Sequence, residues 1–223
     1  VTSCLTPGHL TITVGTADGM VLSLPTGIDE IADPDDFEVD VFLEGGADVV
    51  VSKHLDVHAD SVYAMCPVGG NQRCVLTAAA DGSVRLWDTN RGSLLHKTML
   101  NSQPFVCAAS SPSSSLVAIG SVDGIVRLLL VSSGSSDSAP SVVVVYEEKL
   151  FNKAVTQLSF HPSQPLLSVT SMADGRVYLV DVRPDTFGPL STCATDRPYA
   201  TTWCGDDKIL VASGDGVLRQ ATL

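Results

Sequence analysis

Asp-Gly recurs five times in this 223-residue chain, at Asp18, Asp81, Asp123, Asp174 and Asp215, and each time it joins two apolar runs. The upstream runs are 10–14, 74–77, 116–119, 166–170 and 209–213. An aliphatic residue stands three places after every Asp: Val21, Val84, Val126, Val177 and Leu218. Two strand-like runs joined through Asp-Gly are a strong short-range hairpin signal, because Gly accepts positive φ and Asp bonds its own local backbone. The expected hairpins lie near 10–24, 74–87, 116–130, 166–180 and 209–219.

A third run precedes each hairpin and is closed by Pro or Gly: 1–5, 61–66, 105–110, 155–160 and 200–204. Two units offer a fourth strand, at 94–100 and at 142–146. The Asp-Gly spacings are 63, 42, 51 and 41 residues. A period of roughly 40–45 residues built from four short strands is the signature of a propeller blade. No segment sustains the 3.6-residue periodicity that a helical repeat needs. The fold class expected over residues 1–223 is therefore all-β: a β-propeller of four-stranded antiparallel blades. Five blades are visible, and the chain reads as an internal piece of a longer protein and of a larger propeller.

The second unit carries a specific motif. It reads Leu76-Thr77-Ala-Ala-Ala-Asp81-Gly-Ser-Val-Arg-Leu-Trp87-Asp88, preceded by His58-Ala-Asp-Ser-Val. These residues resemble a WD repeat. The resemblance implies a buried hydrogen-bonded chain of His58, Thr77, Asp81 and Trp87. A carboxylate at a tight buried turn needs partners, and imidazole, hydroxyl and indole N–H can supply them. The other units keep the turn residues Asp18, Asp123, Asp174 and Asp215 but not the whole chain. At the Thr and Trp positions the first unit has Val14 and Leu24, the third Ile119 and Leu129, the fifth Val211 and Ala221. The fourth keeps Thr170 and Asp174 but has Val180 where the Trp would be.

Composition limits the functions available. The net charge of −12 repels phosphate backbones and anionic membranes, so neither direct nucleic-acid binding nor membrane insertion is expected. The cysteines are Cys4, Cys66, Cys74, Cys107, Cys193 and Cys204. They lie mostly in apolar runs with no C-x-x-C spacing, which reads as buried free thiols in a reducing compartment. The insert at 29–40 is acidic at seven of twelve positions. Placed on a calcium-loop template it puts Phe37 and Glu38 where an oxygen ligand and the turn Gly belong, so it reads as a solvated loop. The stretch 132–141 is a Ser-rich loop. His54 and His58 flank Asp56 at helical metal-site spacing, but 49–57 alternates as a strand and no third ligand is near. His9, His96 and His161 read as turn or surface residues. No catalytic or nucleotide-binding motif is present, so no enzyme activity, metal or cofactor is expected.

The resemblance implies a scaffold that holds other proteins in a multi-subunit complex. Its setting would be cytoplasmic, with cytoskeletal or ciliary machinery, trafficking coats and ribosome assembly as candidates. The alternatives are a peptide reader that binds a short modified segment at the propeller's central mouth, which needs an Arg cluster or an aromatic cage from residues such as Tyr63, Tyr199 and Trp203, and, further off, a propeller-fold hydrolase.

Overall fold

The structure is a computed structural model that describes residues 2–6, 11–25, 52–53, 57–68, 74–89, 91, 93–100, 103–134 and 139–222. The acidic insert 29–40 lies outside these residues, as do His9, His54, Asp56 and part of the Ser-rich loop. Among the described residues there are nineteen strands and no helix, in five antiparallel sheets. Blade 1 holds β1 (Thr2–Thr6), β2 (Thr11–Gly15), β3 (Val21–Pro25) and β4 (Ser52–Lys53). Blade 2 holds β5 (Val62–Val68), β6 (Cys74–Ala79), β7 (Ser83–Asp88) and β8 (Ser93–Met99). Blade 3 holds β9 (Phe105–Ser110), β10 (Leu116–Ser121), β11 (Ile125–Ser132) and β12 (Ser141–Lys149). Blade 4 holds β13 (Gln157–Phe160), β14 (Leu166–Ser171), β15 (Arg176–Asp181) and β16 (Gly188–Ala194). Blade 5 has three strands, β17 (Pro198–Trp203), β18 (Lys208–Ser213) and β19 (Leu218–Thr222). Strands β4 and β16 complete blades whose fourth strand the sequence reading did not locate. β4 is two residues long and β16 is almost wholly exposed, so neither shows an alternating apolar pattern.

All five Asp-Gly pairs sit at the tip joining the second and third strands of a blade. Each Gly has positive φ, from 63° to 84°. At Gly19 and Gly124 a Cβ would also stand 2.2 and 2.1 Å from the His58 and Phe151 carbonyl oxygens, so backbone conformation and space both demand glycine.

Blades pack face to face through three apolar clusters. Val21, Val62, Met65, Val75, Ala79 and Trp87 join blades 1 and 2. Leu76, Ala78, Leu86, Phe105, Ile119 and Leu129 lead the cluster between blades 2 and 3. Ala118, Val126, Leu128, Leu158, Leu167 and Val169 lead the one between blades 3 and 4. In β10, Val117 and Ile119 face blade 2 while Ala118 faces blade 4, as a period of two dictates.

The seam between blades 4 and 5 is polar. The Gln157 side chain donates to the Thr201 carbonyl at 3.2 Å and accepts from the Thr201 amide at 2.5 Å. The Trp203 indole donates to the Ser159 carbonyl at 3.0 Å. His161 is fully buried here, against its expected surface position. Its Nδ1 accepts from the Ser163 and Gln164 amides, so Nε2 carries the proton and faces the Asp206 carbonyl at 3.3 Å. The cysteine expectation also needs correction. Cys66 and Cys74 are buried, but Cys193 and Cys204 are exposed, since β16 and the end of β17 lie at the surface. The Cys107 sulfur is enclosed against Gly120 and Val155, and burial pushes its thiol up to about 12.

Candidate functional site in the second blade

The polar side chains of blade 2 converge in its interior, with His58, Thr77, Ser83 and Trp87 all at 1% exposure or less. His58 arrives on the segment entering the blade, where its amide donates to the Gly19 carbonyl. Trp87 Nε1 donates to Thr77 Oγ1 at 2.9 Å, and Thr77 Oγ1 lies 2.8 Å from His58 Nε2. His58 Nδ1 lies 2.9 Å from Ser83 Oγ, and Ser83 Oγ is 2.7 Å from Asp81 Oδ1. One proton arrangement satisfies every member. The ionised Asp81 only accepts, so Ser83 gives it its hydrogen and accepts from His58 Nδ1–H. His58 Nε2 then accepts from Thr77, which accepts from Trp87. The relay runs from Trp87 through Thr77, His58 and Ser83 to Asp81.

Ser83 is the member that the sequence reading missed. The direct His58–Asp81 contact is longer, at 3.4 Å, so Ser83 carries the link. The signal was available in the residue two places after Asp81, whose hydroxyl and amide (2.9 Å) both return to that carboxylate. Asp81 also accepts from the Ala59 amide at 2.9 Å, tying the blade tip to the incoming segment. Burial alone would raise its pKa. The Ser83 hydroxyl and amide, the Ala59 amide and His58 outweigh that and hold the carboxyl below its ordinary value.

No other described blade repeats this relay. The amides of Leu100, Phe151 and Thr195 make the bond to the tip glycine that His58 makes, so these residues stand in its place in blades 3, 4 and 5. Phe151 packs edge-on against Tyr178 at 5.1 Å. Asp174 accepts from the Asn152 and Lys153 amides at 2.7 and 3.0 Å, gripping the incoming segment as Asp81 does. Asp18, Asp123 and Asp215 bond near their own turns, to the Thr16 hydroxyl, the Ser121 hydroxyl, and Val217 with Arg219.

Thr170 does not take the role its spacing suggests. It lies four residues before Asp174, as Thr77 lies four before Asp81. In blade 2, Thr77 pairs with Arg85; in blade 4, Thr170 pairs with Val177 rather than Tyr178, because its tip loop is one residue longer. That slip turns the Thr170 hydroxyl to Thr201 of blade 5, at 3.4 Å, while Val169 faces blade 3.

A His, a Ser and an Asp in sequence have the makings of a catalytic relay, but a reacting atom must be reachable. His58 and Ser83 are sealed, and their far end terminates on Thr77 and Trp87 in the core. The arrangement can fix strand register and can hold the incoming segment; it offers no surface to a substrate. Among the described residues no cluster of three or more His, Cys, Asp or Glu could hold a metal ion.

Trp203 does not join Tyr63 and Tyr199 in a peptide cage. Tyr63 and Tyr199 are exposed near the starts of β5 and β17, in blades separated by two others. Trp203 stands four residues along β17 from Tyr199, roughly 13 Å in an extended strand, and is held inside the seam by Ser159 and His161.

Comparison with known proteins places this geometry. The family model described as WD domain, G-beta repeat matches residues 50–88, 93–128 and 143–181, just over half of the chain. Each matched stretch starts on the outer strand of one blade and ends on the third strand of the next, so successive repeats share a sheet and lock neighbouring blades. The Chlamydomonas reinhardtii protein named cilia- and flagella-associated protein 43 is 29% identical over 212 residues; the match covers 89% of this chain and 11% of that protein. Two computationally designed proteins share the fold. Ika8 gives a TM-score of 0.71 at 17% identity, covering 99% of this chain and 57% of its own. Ika4 gives 0.61 at 19% identity, covering 76% and 95%.

Proposed function

Since the chain belongs to the WD domain, G-beta repeat family, we propose that it is a non-catalytic scaffold, a subunit of a ciliary or flagellar assembly that holds other proteins together. The observation that carries this reading is the contrast between interior and surface. The blades are locked to one another by buried clusters and by the relay around His58, while the strand ends and outer edges carry exposed apolar residues such as Tyr63, Val143, Leu190 and Leu218. A rigid frame with variable loops is suited to binding several proteins at once. The ciliary setting rests on the relative, whose name places it in cilia and flagella. The net charge of −12 favours protein partners over nucleic acid.

The test is native purification of the full-length protein, tagged at its own locus in a ciliated cell, followed by fractionation of cilia. Stoichiometric protein partners in the ciliary fraction are expected. A protein recovered alone as a monomer, or absent from cilia, would end the reading.

A further inference from the structure

Among the described residues, the outermost strands β8, β12 and β16 pair on one side only, and their open edges differ in chemistry. Each of β8, β12 and β16 has a register irregularity, so the irregularity does not distinguish them. Native edges are otherwise blunted by charge or proline. Strand β8 has His96 and Lys97, and β16 opens with Gly188-Pro189. The nine-residue β12 begins Ser141-Val142-Val143-Val144-Val145 and keeps its charges, Glu147, Glu148 and Lys149, to its far end, so its first five residues form an uncharged apolar stretch. Val143 is 52% exposed, and so are large parts of Val145 and of Leu130 on the adjacent strand. Beside this edge lies a cleft of about 530 Å³ between blades 3 and 4, lined by Leu116, Leu130, Val145, Phe160, Val182 and Phe187 among others. Val145 and Leu130 belong to both features, so edge and cleft form one surface.

The chemistry names the occupant. The outer side of β12 offers backbone donors and acceptors at two-residue spacing, which only another extended backbone matches along its length. The cleft takes apolar side chains that such a segment presents on one face. At the far end of β12, Glu147 is held by Arg127, whereas Glu148 has no ion pair among the described residues. We propose that the β12 edge and its cleft bind an extended segment of a partner protein running antiparallel to β12, apolar at alternate positions and carrying at its N-terminal end a basic residue that meets Glu148. This deepens the scaffold reading and rests on it: the segment adds a fifth strand to blade 3.

The test uses the full-length protein and a dye-labelled synthetic peptide, Lys-Thr-Val-Thr-Val-Thr-Val, followed by fluorescence anisotropy. Saturable binding is expected. It should weaken about tenfold or more in the V143K/V145K double variant, and about threefold in E148K, with a Glu-for-Lys peptide preferring E148K. Both substituted valines are exposed, so an unchanged melting temperature will show that the fold is intact. N-methylation of alternate amides along one peptide edge should abolish binding, and along the other edge should leave it. Equal binding by both methylated peptides would reduce the site to apolar adhesion and overturn the proposal. So would no binding at all, or a concentration-dependent dimer of the protein that V143K/V145K abolishes. If the peptide fails while native partners still co-purify, only the edge proposal falls.

Discussion

Blades 2 and 4 start from nearly the same residues and reach different interiors. Each has a Thr four places before its Asp-Gly, an aliphatic residue three places after the Asp, and an Asp closing the third strand. In blade 2 the Thr binds a His and a Trp inside the blade's own sheet. In blade 4 the tip loop holds one more residue, the register slips by one, and the Thr turns outward to the next blade. The slip has a counterpart in packing. Blades 1 to 4 meet through apolar clusters, whereas blade 4 meets blade 5 through Gln157, Ser168, Thr170, Thr201 and His161. A one-residue change in a hairpin therefore decides which of two neighbours receives a blade's polar groups. Asp181, buried at the end of β15, adds a local lock. Hydrogen bonds from Arg183 lead in holding its carboxyl far below the usual range.

The sharpest break in the comparison is Trp87→Ala. It removes the largest fully buried side chain among the described residues and the indole donor to Thr77 Oγ1, and should cost about 3–5 kcal/mol, read from urea unfolding. Val180→Ala, at the matching place in blade 4, should cost distinctly less, because fewer buried atoms are lost. Equal losses would mean that blade 2 has no special hold on the fold.

Next in size is the pair Thr77→Val and Thr170→Val. The first removes the hydroxyl that both Trp87 Nε1 and His58 Nε2 bond in the core, and should cost about 1–3 kcal/mol. The second loses a long 3.4 Å contact to Thr201, which keeps its bond to Ser168 at 2.9 Å, and should cost about 0.5–1.5 kcal/mol. Reversal of that order would show that the register difference has no energetic meaning.

The smallest effect is in acid. Asp81 is held below its ordinary value of 3.8 in the folded state. The unfolded chain therefore takes up its proton first, and the Asp81 contribution, complete above that value, falls away as pH drops below about 4. The pH dependence of the urea midpoint should be shallower in Asp81→Asn than in the parent. Identical slopes would remove Asp81 from the set of stabilising carboxylates.

Much of the framework was legible beforehand. The Asp-Gly tips, the three inner strands of each unit and the four named residues of the buried chain carry local chemistry: a glycine that must take positive φ, or an alternation that must face two neighbours. The outer strand β16 was not legible because an exposed edge need not alternate, and β4 because two residues show no period. Ser83 was passed over because a serine after Asp-Gly reads as a turn residue until its hydroxyl is seen to meet His58.

The sequence by itself determined that the chain folds as repeated hairpins and which unit carries a complete polar set, since both follow from residues close together along the chain. Only the tertiary structure decided that Thr170 and His161 serve the seam with blade 5, and that the valine run of β12 lies beside a cleft. Those outcomes depend on the register between strands and on what the neighbouring blade offers. Side chains alternate from one face to the other, so a single residue in a loop sends a group to the opposite neighbour while the pattern along the chain stays the same.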